Sequence, residues 1–210
     1  IEVPDTAQAA IRVRVPAPAF DDPDHVAFDA ARWILGGHFL SRLNANLRED
    51  KGWTYGVRND GWSGDTHGTW TIEVAVPAER TGEALDEIAR ELARLRAEGP
   101  TEEELSAWRA RQVSDWNLLL RTAASGAAVL DQLRRTRETV DGARAELEAM
   151  ARLTPDAVRS VARTWLDLRQ SLTVVAGDRE AITPALTPTG RAARWIEAEA
   201  AVLGDVHEAP

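Results

Sequence analysis

The chain has 210 residues, 44% of them apolar, and a formal net charge of −9 at pH 7. This length is enough to bury one hydrophobic core, so we expect a globular unit. No basic stripe stands out from the mixed-charge helices, which argues against nucleic-acid binding. No apolar run approaches the ~20 residues that span a bilayer, so we expect no membrane insertion.

The absence of cysteine excludes a disulfide framework but does not separate bacterial cytoplasm from periplasm, so the compartment stays open. The chain opens with Ile1 rather than Met and enters a strand almost at once. We therefore expect a processed or excised piece of a longer protein.

The first half of the chain predicts a strand, two helices and a hairpin. Residues 10–15 alternate between apolar and polar side chains, which indicates a strand. Asp22-Pro23 is typical of a helix start, and Gly36-Gly37 of its end. Residues 39–48 then predict a short amphipathic helix. A hairpin is expected over 53–76, and its turn is expected within Asn59–Gly64. Its first strand should start at Thr54, and the apolar face of its second strand should consist of Trp70, Ile72, Val74 and Val76.

The second half predicts several helices and one last strand. Thr101 and Glu104 form a capping-box pattern, and Thr154-Pro155 is a second helix start. A helix is expected through 85–95, and Gly99-Pro100 ends it. A long helix follows, broken near Ser125-Gly126, with an apolar stripe of Leu105, Trp108, Val113, Trp116 and Leu120. Further helices are expected over 130–140, 143–153 and 155–165, and a last strand over 171–177.

This order favours an α+β fold, in which the last strand pairs with the early hairpin and helices pack on an antiparallel sheet. We assign residues 1–185 to this α+β domain and residues 186–210 to an acidic tail, helical in part over 191–206. Trp33, Trp108, Trp116 and Trp165 are expected in the core. Trp62 lies in a polar turn and is either an exposed anchor or a local packing residue.

Arg48 and Tyr55, the only tyrosine, lie seven positions apart across a break at Lys51-Gly52. We expect Arg48 near the end of a helix and Tyr55 on a strand, so that both side chains converge on one point. Arginine supplies a charged donor fork and tyrosine a neutral donor, which together suit a peptide carbonyl or its oxyanion. Arg42 is expected to pair with Glu49 or Asp50 rather than to bind substrate, and Glu49 to position an arginine or to stay solvated.

Four short motifs carry a family resemblance: Leu35-Gly-Gly37, Ser41-Arg-Leu43, Leu47-Arg-Glu49 and Lys51-Gly-x-x-Tyr-Gly-Val57. Together they resemble the C-terminal half of an insulinase/pitrilysin-type zinc peptidase, over roughly residues 1–185. The resemblance implies one of two similar α+β halves, with zinc held by a His-x-x-Glu-His motif in the other half. It also implies that Arg48 and Tyr55 are the substrate-binding residues of this half, which completes a peptide-hydrolysing site and is inactive alone.

No zinc site is expected in this chain. His25, His38, His67 and His207 do not form an H-E-x-x-H or H-x-x-E-H frame. The segment His38-Phe-Leu-Ser-Arg42 has serine and arginine where such a frame needs a base and a ligand. We expect the zinc-bearing half, fused or separate, and a peptide as partners. Two alternatives stay open: a catalytically inactive structural or regulatory subunit of the same fold, and a free-standing peptide-binding domain.

Overall fold

Four strands form one antiparallel sheet in the order β2-β3-β1-β4. The structure, a computed structural model, describes residues 1–63, 68–119, 121–122, 126–127 and 139–197. The strands are β1 (Gln8–Ala17), β2 (Arg58–Ser63), β3 (Gly68–Pro77) and β4 (Leu172–Ala176). The helices are α1 (His25–Gly36), α2 (Arg42–Asn44), α3 (Thr81–Glu98), α4 (Glu102–Leu119), α5 (Val140–Arg152), α6 (Pro155–Trp165) and α7 (Arg179–Leu186). A π-helical turn spans Ala45–Asp50, and the α+β class is confirmed.

The predicted alternation of β1 and β3 is confirmed and separates the two faces of the sheet. Inward-facing side chains of both strands are buried in the core: Ile11, Val13, Val15, Trp70, Ile72, Val74 and Val76. The other face, here called the open face, carries Ala10, Arg12 and Arg14 of β1 and Glu73 and Ala75 of β3, which are exposed or half-buried. Within the part of the chain that the structure describes, no helix has the length and apolar character needed to cross a bilayer.

The last strand pairs with β1, and the predicted pairing with the hairpin is wrong. β3 already has a neighbour on each side, so a fourth strand can join only β2 or the free edge of β1. The first positions of β2 are polar, Arg58, Asn59 and Asp60, whereas β1 offers its apolar face along ten residues. Burial of apolar surface therefore favours the β1 edge.

Several helix boundaries follow their predicted signals. Gly36 ends α1, and Gly99, with φ +77°, follows α3. The capping box is confirmed, since the Thr101 hydroxyl accepts from the Glu104 N–H at 3.1 Å and the Glu104 carboxylate accepts from the Thr101 N–H at 2.8 Å. The Thr154 hydroxyl likewise accepts from the Ala157 N–H at the start of α6.

Other boundaries differ from the predictions. α1 begins at His25 and not at Pro23, because Asp22 closes a turn: its carbonyl accepts from the His25 N–H and its carboxylate from the Asp24 N–H. Leu105 and Trp108 of α4 are buried as predicted, but Val113 is 58% exposed. Residues 191–196 carry no helix, although one was predicted to start there, and Glu197 forms a parallel bridge with Glu2.

Some predictions lie outside the described residues. They are residues 130–138 of the helix predicted over 130–140, Ser125 of the predicted break, Leu120 of the predicted apolar stripe, Gly64 of the predicted turn, the side chains of Trp62 and Trp116, and the tail beyond Glu197. Of the other tryptophans expected in the core, Trp108 is fully buried, and Trp33 and Trp165 are half-buried and pack against the core.

Gly82, in the first turn of α3, is packed against the backbone of α7. A Cβ atom added at this position would lie 2.0 Å from the Ala185 carbonyl oxygen. Because backbone must move to relieve that clash, we expect Gly82→Ala to lower the free energy of unfolding by about 1–3 kcal/mol. Urea denaturation measures the change. Gly126→Ala is the matched control, because its Cβ would meet no atom of the described residues within 4 Å. Equal stability of the two variants would contradict this packing.

Candidate functional site

The segment that carries Arg48 begins with a short helix and continues as a π-helical turn. The prediction of a regular helix from Phe39 is wrong, because helical structure starts at Arg42, and the Phe39 and Leu40 side chains are 61% and 74% exposed. Leu43 and Leu47 are buried as predicted and anchor the segment to the core. π-Helical turns are rare and occur frequently at functional sites.

Gly52 ends this segment, as predicted. Its N–H donates to the Arg48 carbonyl at 3.1 Å, and the Trp53 N–H donates to the Leu47 carbonyl at 3.0 Å. Gly52 has φ +64°, in the left-handed region that side chains disfavour. The chain therefore reverses at Gly52, which brings the loop of residues 53–57 back along the same helical segment.

The strand predicted to start at Thr54 is wrong, because β2 begins at Arg58. The buried Asn44 side chain takes both backbone groups of Val57: its Oδ1 accepts from the Val57 N–H at 2.7 Å, and its Nδ2 donates to the Val57 carbonyl at 3.3 Å. The Thr54 hydroxyl accepts from the Gly56 N–H at 3.2 Å. These backbone groups are therefore not available to the sheet.

Asn44 joins the Arg48 segment to the Tyr55 loop, a role that no pattern in the sequence indicated. Its Nδ2 also donates to the His38 carbonyl at 2.9 Å and to the Ser41 hydroxyl at 3.1 Å. A single asparagine in a helical segment gives no signal that its partners lie 13 positions away.

Replacing Asn44 with alanine should lower the free energy of unfolding by about 1–3 kcal/mol, because the backbone N–H and C=O of Val57 would be buried without partners. Chemical denaturation gives the size of the loss. The exposed Asn117→Ala on α4 is the control, and we expect it to change stability by less than about 0.5 kcal/mol. An Asn44→Ala protein as stable as the control would refute the link between the two segments.

The guanidinium of Arg48 stacks on an exposed aromatic ring. Its Cζ lies 3.4 Å from the centroid of the Phe39 ring, and its Nη2 lies 3.3 Å from Glu49 Oε1. The Arg48 side chain is 25% exposed, and that of Glu49 is 52% exposed. A cation over the face of a ring keeps its N–H donors at the edge free. Arg48 is thus held in place and can still donate to a ligand.

Tyr55 lies on the loop with its side chain 97% exposed. No residue that the structure describes forms a hydrogen bond with its hydroxyl, and none links it to Arg48. Both donors predicted to bind substrate are therefore placed at the surface by one compact segment, but they are not in contact with each other. Tyr55 lines a cleft above the open face, together with residues of β1 and β3.

Arg42 pairs with α4, so its predicted partner Glu49 or Asp50 is wrong. Its Nε and Nη2 donate to the two carboxylate oxygens of Glu104, both at 2.7 Å, and Nη2 also donates to the Gly99 carbonyl. The Arg42 side chain is only 8% exposed. This ion pair fixes the start of the Arg48 segment on the helix layer.

The π-helical turn also rests on two buried carboxylates of α3. Asn46 Nδ2 donates to Glu87 at 2.9 Å and to Glu91 at 3.1 Å, and the Lys51 ammonium lies 3.1 Å from Glu87. Burial alone would raise the pKa of the Glu87 carboxyl, but hydrogen bonds from Asn46, Arg90 and Lys51 outweigh burial and lower it. Glu87 is therefore ionised at neutral pH and holds both ends of the turn.

The residues present do not fit a catalytic zinc ion. In the described part of the chain, no group of three or more His, Cys, Asp or Glu side chains could hold a metal. In the segment His38–Arg42, which only partly resembles a zinc motif, the His38 ring stacks on Trp33 with the ring centroids 3.8 Å apart, and burial lowers the pKa of the His38 imidazole. Where the frame would need its base and second ligand, Ser41 is buried and Arg42 is in an ion pair with Glu104.

Several solved structures share this fold, among them proteins described as peptidases or proteases. A peptidase M16 inactive domain from Pseudomonas fluorescens is 24% identical, with a TM-score of 0.77 over 85% of this chain and 42% of that one. A protease from Helicobacter pylori is 20% identical, with a TM-score of 0.77 over 84% and 42%. An inactive peptidase domain from Bordetella parapertussis, ascribed to a zinc protease, is 19% identical, with a TM-score of 0.70 over 81% and 90%.

The chain thus spans 42% of the length of the first two of these proteins. A search among curated protein sequences finds no match. The model of one protein family, described as the peptidase M16 inactive domain, matches residues 1–111, which include the whole Arg48 and Tyr55 segment. This match covers more than half of the chain, so the chain belongs to the family of the peptidase M16 inactive domain.

Proposed function

We propose that this chain is the substrate-binding, non-zinc half of a zinc-dependent metallopeptidase, in which Arg48 and Tyr55 bind a carbonyl group of the peptide. The observation that carries the proposal is the state of the two donors. Tyr55 has no hydrogen-bond partner among the described residues, and Arg48 has only the exposed Glu49 at 3.3 Å. Donors left free in this way are available to a ligand, and Tyr55 also lines a cleft.

The two side chains suit a carbonyl whose charge grows during the reaction. The Arg48 guanidinium, stacked on the Phe39 ring, would donate to the carbonyl. The Tyr55 hydroxyl would donate from a loop that the Asn44 side chain binds to the same segment. Donors that are already oriented stabilise an oxyanion more than they stabilise a neutral carbonyl. The partner half supplies the zinc ion, and this chain binds and orients the peptide.

The exposure of both donors also suggests when they act. Neither side chain is enclosed by this chain, so water reaches both of them. Hydrogen bonds to a developing charge are strongest where water is excluded. We therefore expect the site to form only when the zinc-bearing half closes over this surface.

The proposal is tested by a peptidase assay with quenched-fluorescent peptides, on this chain alone and mixed with a candidate zinc-bearing half. We expect zinc-dependent cleavage only in the mixture. Size-exclusion chromatography of the same mixture establishes that the two halves assemble. An assembled mixture that cleaves no peptide would overturn the proposal and favour a structural or regulatory subunit.

A further inference from the structure

A cleft of about 320 Å³ lies beside Tyr55 on the open face of the sheet. One wall is the loop of Thr54, Tyr55 and Gly56, and the floor consists of residues of β1 and β3. Its volume is at the low end of the range for ligand pockets, which suits an amino-acid side chain with part of its backbone. The cleft contains the phenol that we assign to carbonyl binding.

Positively charged side chains outnumber negatively charged ones in this cleft, which is lined by Arg12, Arg58 and Glu73. Glu73 of β3 stands between two arginines, directly opposite Arg12 on β1 and directly opposite Arg58 on β2. Its carboxylate pairs with Arg12, at 3.0 Å from Nε. Among the described residues, no carboxylate oxygen lies within 4.0 Å of the Arg58 guanidinium. The cleft therefore holds one uncompensated positive charge, in a chain whose net charge is −9.

We propose that Arg58 selects an acidic side chain of the peptide, so that the assembled peptidase prefers Asp or Glu close to the carbonyl that Tyr55 binds. This inference rests on the proposed function. An unpaired guanidinium presents a planar fork that matches a carboxylate. Arg58 and Tyr55 line the same cleft, so an extended peptide, rising about 3.3 Å per residue, reaches both within a few residues.

The test uses pairs of peptides that differ only by Glu or Gln at one position near the scissile bond, with amidated C-termini. Amidation removes the terminal carboxylate, which could otherwise bind the same arginine. At one position we expect kcat/KM of the assembled enzyme to be about fivefold higher for Glu, the range of a solvent-exposed ion pair. No Glu preference at any position, or a preference seen only with free C-termini, would overturn the inference.

Two variants assign the preference to the cleft. In the Arg58→Gln variant, the Glu and Gln peptides should have equal kcat/KM. Gln is chosen rather than Glu because a carboxylate at position 58 would repel Glu73 directly opposite. Arg14→Gln is the matched control, since Arg14 lies on the same open face, outside the cleft, and donates to Thr71. It should keep the Glu preference. A preference that survives Arg58→Gln, or that Arg14→Gln removes equally, would refute the role of Arg58.

A separate readout distinguishes this inference from the proposed function. Tyr55→Phe should slow cleavage of the Glu and Gln peptides by the same factor and leave their ratio unchanged. If no peptide is cleaved, the proposed function fails, and binding still tests the cleft. Fluorescence anisotropy of labelled, amidated Glu, Gln and Lys peptides on the full chain should then give the lowest Kd for Glu. Equal Kd values would overturn the inference.

Discussion

Replacing Arg48 with alanine should lower kcat of the assembled peptidase by about two to three powers of ten, with a much smaller change in KM. This is the loss observed when one donor to an oxyanion is removed. An interaction that strengthens mainly in the transition state appears in kcat rather than in KM. Single-turnover kinetics on a quenched-fluorescent peptide would measure the change in the chemical step.

The same substitution should barely affect folding. The Arg48 side chain stacks on Phe39 at the surface, and Glu49, the one carboxylate paired with it in the described part of the chain, is 52% exposed. We expect a change in unfolding free energy of less than about 1 kcal/mol, the range of exposed ion pairs. Arg111→Ala, which removes an exposed arginine of α4, is the matched control for kcat. A kcat within twofold of wild type in Arg48→Ala would refute the assigned role.

Tyr55→Phe and Arg48→Lys refine the result. Tyr55→Phe removes one neutral donor and leaves the ring, whereas Arg48→Lys keeps the charge and loses the fork. If both donors bind one carbonyl, the double variant should lose less than the product of the two single losses, because residues that act as a unit are not additive.

Local signals in the sequence predicted the parts of the fold that local interactions determine. The alternation of β1 and β3, the Thr101 and Glu104 capping box, and the reversal at Gly52 each depend on residues a few positions apart. The same holds for the buried Leu43 and Leu47. In these places the nearest neighbours along the chain are also the partners in space.

The wrong predictions depend on partners that are distant in the chain. Thr54–Val57 has the composition of a strand, but Asn44, 13 positions earlier, takes the backbone groups of Val57 that a ladder would need. Arg42 has acidic residues nearby in sequence, but its partner is Glu104, 62 positions away. The pattern around Arg48 predicted the segment that we propose as the site. That no carboxylate of the described residues pairs with Arg58 could be seen only once β1, β2 and β3 were in register.

The Arg42 and Glu104 pair supports the second large effect: Glu104→Ala should lower the free energy of unfolding by about 3 kcal/mol at neutral pH. The substitution would leave the Arg42 guanidinium, which is 8% exposed, without its two 2.7 Å hydrogen bonds to a carboxylate. Removing one partner of a buried pair costs about 3–5 kcal/mol. We expect the lower end because Glu104 is 28% exposed. Urea denaturation measures the loss.

Glu103→Ala is the matched control, because Glu103 lies in the same first turn of α4 and is exposed. It should change stability by less than about 0.5 kcal/mol. Glu104→Gln should fall between the two, since the amide oxygen can still accept from the Thr101 N–H while the charge is lost. Equal stability of Glu103→Ala and Glu104→Ala would show that the pair contributes nothing.

The pH dependence separates the ion pair from packing. Burial would raise the pKa of Glu104, but hydrogen bonds from Arg42 and from the Thr101 N–H lower it below its ordinary 4.5. The unfolded chain therefore takes up the proton first as pH falls, so the stabilisation is full above about pH 4.5 and is lost as pH drops through the lower folded-state pKa. The stability difference between wild type and Glu104→Ala should shrink accordingly in acid. A difference that stays constant would assign it to lost side-chain contacts and not to charge.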